Sequence, residues 1–269
     1  MPIFDYRGHG LFWDSYGGGQ NTLLFIHGLG GHGKSWMYQI NHFKKNNRVV
    51  TIDLFGHGQS AKDIDPVFVP RLDAEAIMAL VGREIKEPVW AVGHSFASAI
   101  LPEMIKLDRP LLKGIAFVDC TYQGFKHIID ARMNFAQLML GYDDDALVSK
   151  ADKWYDDLIG PGVDQSMVSF VKSSLKYCNL RWLFESVAGC REYNQKHPPQ
   201  QTPVYPDLPI FVIEADHGIG DNFAKSWVNH FKQARYYLFE NAWHFFFVTH
   251  YEIFNRLIEE FMTTDGSKL

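Results

Sequence analysis

Six short runs rich in β-branched and apolar residues recur along the chain: Thr22–Ile26, Arg48–Ile52, Pro88–Val92, Gly114–Val118, Pro209–Ile213 and Ala234–Phe239. Helix-like segments, among them Lys34–Lys45, Ala74–Lys86 and Ser95–Lys106, lie between most of them. Parallel strands need crossover connections, and helices that make those crossovers cover the sheet. The alternation therefore predicts an α/β fold: a mostly parallel central sheet with helices on both faces.

The alternation breaks once. Between the run ending at Val118 and the one starting at Pro209 the periodicity reads as helices over Ile128–Leu140, Asp145–Leu158, Val163–Leu175 and Leu180–Val187. Loops of that length without structure of their own are rare, whereas a helical insertion at a sheet edge commonly forms a lid. The expected organisation is a core of residues 1–119 and 209–269 and a helical cap of residues 120–208. The Pro-rich stretch His197–Pro209 returns the chain to the sheet.

Composition narrows the function. The 269 residues are 46% hydrophobic and 21% charged, so the chain is globular rather than disordered. A net charge of −5 offers no broad basic face, which argues against a nucleic-acid partner. Three cysteines (Cys120, Cys178 and Cys190) without a CxxC pattern imply neither a disulfide framework nor a zinc knuckle. The segment MPIFDYRGHG lacks the basic stretch and apolar run of a signal peptide, and no apolar stretch reaches 18 residues. The expectation is a cytoplasmic protein without a membrane span.

The stretch Gly28–Gly33 matches GxGxxG after a strand and before a helix, with Asp53 at the end of the next strand, as in a dinucleotide fold. Two features count against that reading. His27 occupies the place where such folds usually carry a small or apolar residue, and Asp53 belongs to its own longer pattern, Asp53-Leu-Phe-Gly-His-Gly-Gln-Ser60.

More specific is Val89–Ile100, VWAVGHSFASAI, in which a strand runs straight into an apolar helix through Gly93-His94-Ser95-Phe96-Ala97. This is similar to the GxSxG nucleophile elbow, with alanine as the last small residue. Such a turn needs small side chains on both sides of the serine, and Gly93 and Ala97 supply them. It raises the hydroxyl at the amino end of a helix, where N–H groups and the dipole favour a developing oxyanion. The plainer reading of Ser95 is a helix cap.

Taken together, His27-Gly28, Asp53–Ser60 and Gly93–Ala97 resemble, in order and spacing, the α/β-hydrolase family over nearly the whole chain outside the insertion. The resemblance implies Ser95 as nucleophile and the backbone N–H groups of Leu29 and Phe96 as the oxyanion hole. It implies His244, in Asn241-Ala-Trp-His-Phe after the last strand, as the base. His27, His32 and His57 suggest a metal cluster on paper, but the family's HG and GHG histidines are generally structural, and neither a metal nor a cofactor is expected. The acid usually follows the strand that returns from the cap, which selects Asp216. Asp119, after the preceding strand, is the alternative, with Glu214 and Asp221 behind it.

Aromatic residues make up 15% of the chain, and Trp36, Phe96, Trp154, Trp182, Trp243 and Phe245 are candidates for lining a pocket between sheet and cap. Trp36 and Trp243 are the expected substrate contacts. The function expected is a serine hydrolase acting on a carboxylic ester or lactone of a small to medium, partly apolar small molecule. Two alternatives use the same fold. One is a cofactor-independent dioxygenase working through a His244–Asp119 pair; the other is a hydrolase-like ligand receptor.

Overall fold

The computed structural model describes residues 2–65, 69–120, 126–219 and 224–263. Its centre is an eight-stranded sheet in the order β1-β2-β4-β3-β5-β6-β7-β8. The strands are β1 (Ile3–Tyr6), β2 (His9–Gly17), β3 (Thr22–Ile26), β4 (Arg48–Ile52), β5 (Val89–His94), β6 (Leu112–Val118), β7 (Ile210–His217) and β8 (Arg235–Trp243). From β4 through β8 every pairing is parallel; β2 pairs antiparallel with both β1 and β4. The α/β class expected from the alternation is the class observed.

The period-2 geometry of the strands splits the core in two. Leu24, Ile26, Val50, Ile52 and Ala91 point to one face. There they meet Ile77 of α2 (Val69–Leu80), Leu101 of α3 (Leu101–Leu107) and Trp227 of α8 (Lys225–His230). Leu23, Phe25, Val49, Trp90 and Val92 point to the other, against Ile40 of α1 (Met37–Phe43) and Phe254 and Ile258 of α9 (Tyr251–Thr263). Because both faces are covered, the central strands read as continuous apolar runs; β3 and β5 are buried along their whole length.

The antiparallel β1–β2 hairpin adds two strands to the six read from the sequence. Its turn has Arg7 and Gly8 both at positive φ, 55° and 86°, the backbone of a tight hairpin turn that matches strand twist. Arginine in the first of those positions hides the turn, since asparagine, aspartate or glycine is the usual signal there.

Between β6 and β7 lie α4 (Lys126–Leu140), α5 (Asp144–Ile159), α6 (Gln165–Lys172) and α7 (Leu180–Lys196). They carry a small core of their own: Met139, Leu147, Ala151, Leu183 and Phe184. Asp143, Asp164 and Asn179 cap α5, α6 and α7 by accepting backbone N–H groups, as expected of such residues at helix starts. The insert is fastened to the sheet domain by Trp182 of α7. Its indole N–H donates to the Ile64 carbonyl at 2.8 Å, and its ring fills the space a side chain on Gly56 would need.

Candidate active site

Four parallel strands deliver residues to one place at their carboxyl ends, where ligands of open α/β sheets bind. β3 leads into His27-Gly28-Leu29, β5 into Ser95, β6 into Asp119 and β8 into His244. Ser95, Asp119 and His244 are all buried. Of the five non-glycine residues at positive φ among the described residues, two are Ser95 (52°) and Asp119 (47°). Left-handed backbone at a side-chain-bearing residue costs of order 1 kcal/mol or more and persists where its surroundings enforce it.

At Ser95 the enforcement is visible. A Cβ on Gly93 would lie 2.7 Å from the Cβ of Ala97 and 2.9 Å from Leu101, so both positions flanking the turn must be small. A Cβ on Gly28 would lie 2.9 Å from the Cβ of Ser95, which shows how closely the Gly28–Leu29 backbone passes over the serine.

His244 follows β8, and its Nδ1–H donates to Oδ2 of Asp119 in a buried pair. A neutral imidazole so bonded carries its lone pair on Nε2. The ring of His94, adjacent to Ser95, lies on that of His244 with centroids 4.3 Å apart, and His94 Nε2–H donates to the His244 carbonyl at 3.1 Å. Burial, followed by the neighbouring His244, holds the His94 pKa well below the ordinary histidine value. His94 is therefore an uncharged brace between the serine turn and the histidine loop.

The carboxylate of Asp119 is itself held. It accepts from Ala215 N–H at 3.3 Å and Ile219 N–H at 3.2 Å, and a Cβ on Gly218 would come within 2.4 Å of both its oxygens. The expectation that Asp216 orients the histidine is corrected. Asp216 is exposed and accepts from the backbone N–H groups of Asn241 (2.7 Å) and Ala242 (3.0 Å), tying β7 to the irregular stretch of β8. The β7–β8 pairing shifts register between Ala215 and His217, and Asp216 engages the β8 backbone there rather than His244. Glu214 is buried but faces Tyr236, whose hydroxyl donates to it at 2.8 Å; burial pushes its carboxyl pKa up. Asp221 lies outside the described residues.

His27 and His57 carry main-chain bonds on both ring nitrogens. His27 donates from Nδ1 to the Gly28 carbonyl (2.7 Å) and accepts at Nε2 from Leu54 N–H (2.9 Å). His57 donates from Nδ1 to the Phe55 carbonyl (2.9 Å) and accepts at Nε2 from Gly30 N–H (3.1 Å). Burial depresses both, His57 to about 4 and His27 well below the ordinary value. Asp53, where a dinucleotide fold would bind ribose, instead accepts from Gly33 N–H (2.7 Å) and Gln59 N–H (2.8 Å). The GxGxxG match is thus a loop tied to its own neighbours.

Ser95 opens onto a cavity of about 260 Å³ lined by Leu29, Phe96, Ala131, Phe135, Trp154, Val187 and Ile219. Among the described residues every liner but the serine is apolar. Phe96 and Trp154 were among the aromatic candidates; Trp36 and Trp243 require correction. Trp36 is fully buried in the core, 4.3 Å centroid to centroid from Phe247 and 4.9 Å from Phe25. Trp243 stacks on His217, lies against Gly160 and borders a separate cavity with Ile159, Pro161 and His250. Sequence reasoning did not single out Phe135, Val187, Ala131 or Ile219; isolated apolar residues on amphipathic helices carry no mark that separates pocket from core.

Residues 23–257 match the model of the alpha/beta hydrolase family, and the chain belongs to that family. Among curated proteins it is similar to the dihydrolipoyllysine-residue acetyltransferase component of the acetoin cleaving system of Cupriavidus necator, 29% identical over 123 residues, 40% of this chain and 30% of that protein. It is also similar to the (E)-2-((N-methylformamido)methylene)succinate hydrolase of Acinetobacter baylyi, 31% identical over 102 residues, 38% of each chain. These matches span less than half the length of either relative. Among solved structures, a hydrolase from Pseudomonas aeruginosa superposes with a TM-score of 0.83 at 15% identity, covering 98% of both chains. The enol-lactonase from Burkholderia xenovorans does so with a TM-score of 0.78 at 14% identity, covering 98% of this chain and all of the other. At those identities the likeness is one of fold.

Proposed function

We propose that the chain is a serine hydrolase that cleaves a carboxylic ester or lactone through an acyl-enzyme on Ser95. His244 Nε2 takes the serine proton as Oγ attacks the carbonyl carbon, and returns it to the leaving oxygen. Asp119 holds the imidazole with its lone pair on Nε2 and stabilises the imidazolium. The N–H groups of Leu29 and Phe96 hold the oxyanion, and water then releases the acid. The observation that carries this reading is the buried His244–Asp119 pair, packed on His94, whose neighbour Ser95 is a strained serine bordering a cavity whose other described liners are apolar.

The helical insert acts as the cap over that cavity, since Trp154, Phe135 and Val187 all come from it. Its volume falls below the ~300–1,000 Å³ of drug-sized sites, and among the described residues it has no charged liner, which supports a small to medium, uncharged acyl group. Among the described residues no helix is long and apolar enough to cross a membrane, consistent with a small-molecule substrate met in water.

One observation favours a second reading. An acid delivered after β6 also suits a cofactor-independent dioxygenase in which the His244–Asp119 pair deprotonates a heteroaromatic substrate and Ser95 only binds it. Among the described residues the lining offers such a ring no polar side chain besides Ser95, which favours ester hydrolysis. Fluorophosphonate labelling read by mass spectrometry, beside hydrolysis of p-nitrophenyl esters of graded chain length, tests the first reading. Labelling at Ser95 that Ser95→Ala abolishes, with kcat down by about four to six orders of magnitude, is expected. Oxygen uptake without labelling would transfer the function to the second reading.

A further inference from the structure

The loop from Gly28 to Gly31 is held on three sides by the sheet domain. The Gly28 carbonyl accepts from Gly31 N–H (3.0 Å) and from His27 Nδ1–H, and Gly30 N–H donates to His57. The carbonyl between them, that of Leu29, accepts from the Tyr155 hydroxyl at 2.9 Å. Tyr155 lies on α5 of the insert, so this fourth anchor comes from the opposite body.

Gly30 makes the contact possible. Its φ is +77°, and a Cβ there would lie 2.3 Å from the Tyr155 hydroxyl oxygen. Burial pushes the phenol pKa far up, so the hydroxyl remains a donor. The same turn of α5 reaches two other parts of the site. Trp154 lines the Ser95 cavity, and the Tyr155 ring packs on Phe245, the residue after His244, with centroids 5.4 Å apart.

We propose that Tyr155 is a positioning residue whose hydroxyl ties the seating of the helical insert to the direction of the Leu29 N–H. The inference rests on the reading of that N–H as an oxyanion donor. Two peptide planes flank the Leu29 Cα. The plane before it is pinned at its carbonyl by His27 and Gly31. The plane after it is pinned at Gly30 N–H by His57 and at the Leu29 carbonyl by Tyr155. With both planes fixed, the Leu29 backbone has no freedom left. An insert that lifts away takes the phenol with it, leaves the second plane held at Gly30 N–H alone and loosens the oxyanion site. A seated insert, with Trp154 against substrate, restores it.

The test is Tyr155→Phe, which keeps the ring and removes the donor. For hydrolysis of a p-nitrophenyl ester, kcat should fall about tenfold with KM within about twofold of wild type, less than the ~10²–10³ lost when an oxyanion donor is deleted outright. Exchange of the Gly30 amide proton, followed by NMR, should quicken about tenfold as its peptide plane loses one of its two anchors. Gly30→Ala crowds the same hydroxyl from the other side, and because the two changes break one contact their effects on kcat should not add. Unchanged Gly30 exchange overturns the proposal. So does a rise in KM alone, or a kcat within about twofold of wild type in a chain that does hydrolyse the ester. Should the wild type neither hydrolyse nor label, the hydrolase reading fails by itself, and the exchange experiment still decides the role of Tyr155.

Discussion

Asp119 and His244 meet across a strand that belongs to neither of them. The acid ends β6, the histidine follows β8, and β7 lies between, contributing Ala215 N–H to the carboxylate and the bare Gly218 beside it. The pairing joins residues 125 apart in sequence.

The first expected outcome follows from that pairing. Asp119→Asn should lower kcat by about four orders of magnitude, since an amide holds the wrong imidazole tautomer. Asp216→Asn, which only weakens a tie between β7 and β8 at the surface, should leave kcat within about threefold and lower the melting temperature slightly. Steady-state kinetics and thermal melts of the two variants decide it; a severe loss in Asp216→Asn with Asp119→Asn active would return the acid to β7.

Gly218 gives a second handle on the same carboxylate. Gly218→Ala places a methyl group within 2.4 Å of both Asp119 oxygens and should displace them. A shift near 1 Å at a catalytic group costs about 10²-fold in kcat. Gly18→Ala, with nothing within 4 Å of the new methyl, is the control and should match the wild type. Equal rates in the two variants would mean the Asp119 carboxylate tolerates relocation.

Stability should fall on acidification because His57 is buried neutral. Its pKa in the fold, about 4, lies below the ~6.5 of the unfolded chain. The unfolded state therefore binds the proton first, and the contribution present above pH 6.5 drains away as pH drops toward 4. For a fully buried group it amounts to about 3 kcal/mol. His27 and His94 act with the same sign. Urea unfolding from pH 7 to pH 4 should show the decline, and His57→Asn should make it shallower; parallel profiles for the two proteins would remove His57 as its source.

Chain-length preference should answer to the insert. Trp154→Ala enlarges the Ser95 cavity and should move the preferred p-nitrophenyl ester to a longer acyl chain, each added methylene being worth about 0.8 kcal/mol when buried. A preference unchanged across the series would put the acyl group elsewhere.

The sheet was legible because buried parallel strands announce themselves as unbroken apolar runs, as β3 and β5 do. The serine turn was legible because Gly93 and Ala97 must be small for the turn to close. The acid was not. Asp119 follows β6 and Asp216 lies one residue from the end of β7, and only the tertiary pairing, with its register shift between Ala215 and His217, decides which carboxylate reaches the histidine. Tyr155 carried no signal at all, since one tyrosine in an amphipathic helix looks like another until its partner, a main-chain carbonyl 126 residues away, is known.

The strand order also says when the site comes into being. β8 sits at the edge of the sheet beside β7, so His244 meets Asp119 only where β6, β7 and β8 are all in place. Contacts of such long sequence separation close late and slowly. A chain emerging from the ribosome exposes Ser95 and the Gly28–Gly31 loop well before His244 is made. Catalysis therefore reports on the whole fold, and a refolding experiment should recover activity no earlier than its slowest structural phase.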